Sequence, residues 1–169
     1  HGEIKFLAAR DGAMIPVSLL YRPDLFEEGR SPLLVNVYGA YGAPLNTGFR
    51  VGWRDLLDRG FVIAMAHVRG GGAGGRDWHR RGSGVDKGIS ITDFLDVIHA
   101  LTEQRYGDPQ RVFAQGTSAA GVVIGASVNQ APELFKGIVL NRPFVDLVNT
   151  LLDENRPLTL GEYREWGDP

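Results

Sequence analysis

Residues 61–68, FVIAMAHV, make a nearly continuous apolar run. A strand on a half-solvated sheet alternates apolar and polar side chains, whereas a strand buried on both faces does not. The run therefore predicts a central strand of a parallel sheet, and parallel strands require crossover connections, usually helical. Sequence on either side supplies them. Residues 53–59 (WRDLLDR) carry a short helical pattern stopped by Gly60. Ser90-Ile91-Thr92-Asp93 reads as a capping box for a helix to about Gln104, with Phe94, Leu95, Ile98 and Leu101 on one face. LLVNVYGAYG (33–42) reads as a short β-rich run ending in glycine, and 111–115 and 137–143 as further strands, with helices over 119–130 and from 144 to about 153. The beginning differs, because residues 3–9 and 14–21 alternate around Asp11-Gly12, a hairpin dipeptide. The expected class is α/β, a mostly parallel sheet with an antiparallel N-terminal hairpin and helices on both faces. Residues 69–90, rich in glycine and arginine, read as a long loop.

The chain has 169 residues, enough for one domain with a sizeable core. Its formal charge of −2 gives no electrostatic reason to expect nucleic acid or an anionic membrane as partner. The absence of cysteine excludes a disulfide framework, a thiolate metal site and a cysteine nucleophile. It suits a reducing compartment, so the cytoplasm is the expected location, with the periplasm as alternative. No apolar run approaches the 18 residues of a membrane span. The opening His1-Gly2-Glu3 is neither a signal peptide nor a Met start, which points to a segment of something longer.

Chemistry concentrates in VFAQGTSAAG, residues 112–121. An apolar strand stops at Gly116, Ser118 follows, and small residues continue to Gly121. The nucleophile elbow G-x-S-x-G sits between strand and helix because its serine adopts a strained backbone and its neighbours must be small. Here the last position is Ala120, with Gly121 just after it, so the strict pattern is broken. An ordinary helix start capped by Thr117 or Ser118 also fits. Acyl transfer needs donors for a developing oxyanion, and the Ala119 amide and the Tyr38 hydroxyl of VYGAYG are candidates. Taken alone, Tyr38 reads as an edge tyrosine, and Glu162 and Glu165 read as surface carboxylates. GGGAGG (70–75) satisfies a dinucleotide fingerprint formally, but no apolar helical stripe follows it, so no cofactor is expected. His67 and His99 lack partners at metal-ligand spacing and read as packing or surface residues, and Arg76, Arg80 and Arg81 as a solvated loop.

Together, DGAMIPVSLLYR, LLVNVYGAYGAP, LLDRGFVIAMAHVRGGG, GTSAAG, NQAPELFKG and LTLGEYREWGDP resemble the catalytic domain of oligopeptidase B, a branch of the prolyl oligopeptidase family of serine peptidases. The resemblance runs from about residue 4 to the end. It implies a partial α/β-hydrolase fold over residues 1–169, with no cofactor or metal, acting on short peptides. It implies Ser118 as the acyl-forming nucleophile, the Ala119 amide and Tyr38 as oxyanion donors, and Glu162 as the acid that holds an Arg or Lys side chain beside the cleaved bond. Departures are Ala120, Ala73 where a glutamate is usual, Arg164 where a second acid is usual, and Asn46 and Gly48 near a lost acid pair. Arg164 is expected to weaken selectivity for a basic residue by repulsion. The family's triad acid and histidine lie further downstream, and no histidine follows Ser118 here. The expectation is a piece lacking the triad partners and the β-propeller domain, poorly soluble and inert by itself. An esterase on the same fold, or a degenerate binding member, are the alternatives.

Overall fold

A computed structural model of the chain describes residues 1–48 and 50–167. Six strands form one mixed sheet in the order β1-β2-β4-β3-β5-β6. The hairpin β1 (Gly2–Ala8) and β2 (Met14–Leu20) is antiparallel, in a register from Gly2 opposite Leu20 to Ala8 opposite Met14. Its turn uses Gly12 at φ +83°, a conformation glycine adopts without a Cβ penalty. β2 runs antiparallel to β4 (Val62–Ala66), and β4, β3 (Leu33–Val37), β5 (Val112–Thr117) and β6 (Gly137–Asn141) are mutually parallel. Every residue of β3 and β4 is buried, as their unbroken apolar character demands.

Alternation along β4 divides the core between the two faces. Val62, Ala64 and Ala66 pack with Phe94, Ile98 and Leu101 of α3 (Lys87–Glu103) and Val123 and Ile124 of α4 (Ala120–Gln130). Ile63 and Met65 pack with Trp53 of α1 (Val51–Leu57) on the other face. Past α1 that second face is thinly covered. Val139 of β6 is 55% exposed, and an apolar groove of about 460 Å³ runs between Trp53, Phe61, Phe113 and Val139.

Residues 69–90 are not the loop that their composition predicts. They contain α2 (Gly75–Arg80), and α3 begins at Lys87 rather than after a cap at Ser90. α2 buries no residue, so no apolar stripe marks it in the sequence. It is fixed instead by Trp78, whose indole Nε1 donates to the carbonyls of His67 (3.1 Å) and Val68 (3.0 Å). Ser90 lies inside α3, where its hydroxyl donates to the carbonyls of Arg69 (2.7 Å) and Gly82 (3.0 Å). Asp93, also read as part of the cap, is the buried partner of Arg69. Arg76 and Arg80 are solvated as expected, but on a helix. The glycines of GGGAGG serve backbone packing: a Cβ at Gly72 would overlap the Gly42 carbonyl, and one at Gly70 would come 2.5 Å from the carbonyls of Gly39 and Gly82.

Candidate active site

Ser118 stands between the end of β5 and the start of α4, exposed, at φ +56°. A non-glycine residue in the left-handed region costs about 1–3 kcal/mol and persists only where its surroundings over-determine it. Those surroundings are specific. The Ser118 amide donates to the Asn141 carbonyl of β6 (3.2 Å), and the Ser118 carbonyl accepts from the amides of Gly121 (2.9 Å) and Phe144 (2.8 Å). Ser118 therefore does not cap a helix; it forms the apex of a locked turn.

The small neighbours explain how the interrupted motif still forms the turn. A Cβ at Gly116 would lie 2.5 Å from the Ala120 methyl, and one at Gly121 would lie 2.7 Å from Pro143 Cβ. Ala120 is fully buried and fills the space that Gly116 leaves open, while Gly121 lets β5 and α4 approach the loop after β6. Gly121→Val is expected to lower stability by about 1–3 kcal/mol through overpacking, measured by urea denaturation. Gly125→Ala, whose new methyl meets no atom within 4 Å, should raise stability by about 0.5–1 kcal/mol. Equal effects of the two substitutions would contradict this packing account.

Beside Ser118 lies a cavity of about 340 Å³ lined by Tyr41, Arg142, Phe144, Leu158 and Glu162 among others. Five described non-glycine residues have positive φ, and four of them line this cavity: Tyr41, Ser118, Arg142 and Leu158. Strain of this kind gathers at functional sites. Glu162, half-buried on α6 (Thr159–Trp166), is held by two donors to Oε2: the Tyr41 hydroxyl and Trp166 Nε1, each at 2.7 Å. Trp166 also crosses Tyr41 at 89° and Phe144 at 74° in edge-to-face contacts. Burial, then the hydrogen bond to Glu162, pushes the Tyr41 phenol well above its ordinary pKa, so it remains a donor.

Tyr38 follows β3, a central strand, and so is not an edge tyrosine. Asn36 pairs with Gln115, which brings Tyr38 off the sheet at the same carboxyl end from which Ser118 leaves β5. Its hydroxyl has no hydrogen-bond partner among the described residues, and burial, then the charges of Glu165 and Glu162, raise its pKa. It is a protonated, uncommitted donor. The amide of Ala119 likewise meets no acceptor among the described residues. Two donors are thus available at the end of the sheet where an exposed hydroxyl sits.

Glu165, one turn along α6 from Glu162, is not a surface carboxylate but 3% exposed. It accepts from Lys87 Nζ (2.9 Å) and pairs with His79 Nε2 (2.6 Å). Lys87 also donates to the carbonyl of Gly39, the residue after Tyr38, at 2.6 Å. Through this buried node α6 and the Tyr38 loop are fastened to the start of α3. Its partners lie 78 and 86 residues from Glu165, so no local pattern could reveal them.

None of the four histidines lines the Ser118 cavity or hydrogen-bonds Ser118: His67 pairs with Ser18 Oγ at 2.9 Å, His79 with Glu165, and His1 packs on Tyr21, while His99 is exposed on α3. Arg164 is exposed and outside the cavity lining. Arg142, unremarked in the sequence, does line it. Asn46 Oδ1 accepts from the Gly48 amide (2.7 Å), and neither residue lines the cavity.

With this geometry in place, the match to known proteins is informative. The sequence profile of the Prolyl oligopeptidase family matches residues 49–169. The chain belongs to this family. Its members are serine peptidases, and the sheet with its N-terminal hairpin is part of their α/β-hydrolase fold. Dipeptidyl aminopeptidase BI of Pseudoxanthomonas mexicana is 47% identical over 162 residues, covering 95% of this chain and 22% of that protein. Protease 2 of Moraxella lacunata is 41% identical over 167 residues, 99% of this chain and 24% of its own length. Oligopeptidase B from Trypanosoma brucei, in its closed form with covalently bound antipain, superposes with a TM-score of 0.95 at 34% identity, covering all of this chain and 24% of that one. The chain thus spans about a quarter of the length of these relatives.

Proposed function

We propose that the protein carrying this chain is a serine endopeptidase of the prolyl oligopeptidase family that cleaves short peptides after a basic residue. The observation that carries the reading is Ser118, held at φ +56° on a locked strand-to-helix turn beside a cavity containing an oriented carboxylate, Glu162. In the proposed reaction Ser118 Oγ attacks the scissile carbonyl carbon, and its proton passes to a general base and then to the departing amine as the C–N bond breaks. The oxyanion accepts hydrogen bonds from the Ala119 amide and the Tyr38 hydroxyl. Water then cleaves the acyl ester and restores the hydroxyl. Glu162, with Oε2 already fixed by Tyr41 and Trp166, takes the substrate guanidinium or ammonium as a charge-assisted partner.

The base is proposed to be a histidine beyond residue 169, since in this fold the triad runs Ser, then acid, then His. The 169 residues by themselves are expected to be inert, because none of their four histidines hydrogen-bonds Ser118 or lines its cavity. The test uses the full-length protein with matched peptide amides carrying Arg or Gln before the scissile bond. Arg peptides should turn over faster, and Glu162→Gln should raise KM for them about tenfold or more, leaving Gln peptides unchanged. Fast turnover of simple esters with no amide cleavage would make it an esterase instead.

A further inference from the structure

Arg142 is the second charged side chain of the cavity that holds Ser118 and Glu162, and nothing in the proposed reaction uses it. It is exposed and makes no ion pair or side-chain hydrogen bond among the described residues. Its backbone lies at φ +46°, a conformation that an arginine adopts only against a steric cost. Adjacent bonds keep it there. Asn141, just before it, accepts from the Ser118 amide (3.2 Å), and Phe144, two residues after it, donates to the Ser118 carbonyl (2.8 Å). Arg142 is thus carried on a four-residue loop fastened at both ends to the candidate nucleophile. Pro143 stiffens that loop and packs where Gly121 lacks a Cβ.

A guanidinium at the wall of a cavity, without a protein partner, presents a planar fork that matches a carboxylate with two parallel hydrogen bonds. A peptide covering the cavity removes water from it and strengthens such a pair. Glu162, of opposite sign, lines the same cavity yet forms no ion pair with Arg142, so the two charges are separate receptors.

We infer that Arg142 is a specificity-determining residue that binds a substrate carboxylate within one residue of the scissile bond, selecting peptides that present a cation to Glu162 and an anion to Arg142. The inference rests on the peptidase reading above and adds the acidic half of the substrate. The carboxylate belongs either to an Asp or Glu side chain or to a free chain terminus.

The experiment measures kcat/KM of the full-length protein on amidated peptides with Arg before the scissile bond. Asp or Asn is placed immediately before that Arg or immediately after the bond, and one further Asn peptide ends in a free carboxylate. The Asp peptide, or the free-carboxylate peptide, should be preferred over its neutral partner by about tenfold, the factor equivalent to about 1.4 kcal/mol. Which of them is preferred identifies the source of the carboxylate. Arg142→Gln should abolish the preference, Arg142→Lys should keep part of it, and Arg142→Glu should invert it. Anionic-to-neutral ratios that are equal in Arg142→Gln and the parent protein, for the Asp peptides and the free-carboxylate peptide alike, overturn the inference and leave the peptidase reading intact. Failure to cleave any peptide overturns both.

Discussion

Ser118→Ala in the full-length protein is expected to lower kcat/KM for peptide amides about 10⁴–10⁶-fold, with KM nearly unchanged and the fold intact. The hydroxyl is the only atom lost, and groups that act as a catalytic unit lose almost all their acceleration when one is removed. Residual turnover above the uncatalysed rate would come from the Ala119 and Tyr38 donors, which do not depend on the serine. A sharper companion is Ser118→Gly. At φ +56° glycine carries no Cβ penalty, so this variant should be equally inactive yet more stable than the parent, by about 1 kcal/mol. Stability gained by deleting the reacting group is what a strained functional residue produces. A Ser118→Gly protein that melts below the parent would place the strain elsewhere.

Asp93→Ala should have the largest effect on folding, a loss of about 3–5 kcal/mol, since it takes from a buried guanidinium its fully buried counter-charge and leaves it the partly exposed Asp11. Arg69 and Asp93 are 2% and 0% exposed. Asp93 Oδ2 accepts from the Arg69 amide at 3.0 Å and from Nε at 2.9 Å, while Arg69 Nη1 reaches Asp11 in the hairpin turn at 2.6 Å. One arginine therefore ties the β1–β2 turn to α3, and the carbonyl of the same residue accepts from Ser90. For a domain of this size the loss corresponds to about 6–20 °C in Tm. Replacing both partners by apolar residues should recover much of it, because no lone charge is then left inside. A drop of under 1 kcal/mol for Asp93→Ala would mean that water reaches Arg69.

These two positions also show what a sequence can and cannot disclose. The turn at Ser118 was legible because its causes are local: an apolar strand, small residues at fixed offsets, and a following helix. The sheet was legible for the same reason, since β3 and β4 are apolar throughout and β2 alternates. Asp93 and Ser90 were misread as a cap because both satisfy a local rule, whereas their partners, Arg69 and Gly82, come from a preceding loop. Glu165 looked like any surface acid until the fold set Lys87 and His79 against it. α2 escaped because its anchoring is one indole hydrogen-bonded to two carbonyls, not an apolar stripe. The family resemblance drew attention to Arg164, which stands where a second acid is usual, whereas the arginine lining the cavity is Arg142, carried on a different loop that no motif marks.

The central claim is that the Ser118 oxygen is the attacking atom of an acyl-transfer enzyme. Its most direct test is to treat the folded full-length protein with a fluorophosphonate and to locate the adduct by peptide mass spectrometry. The account predicts a single phosphonyl group on Ser118, formed in step with loss of activity and absent after prior denaturation. Stoichiometric modification of another residue, with Ser118 left free, would contradict it.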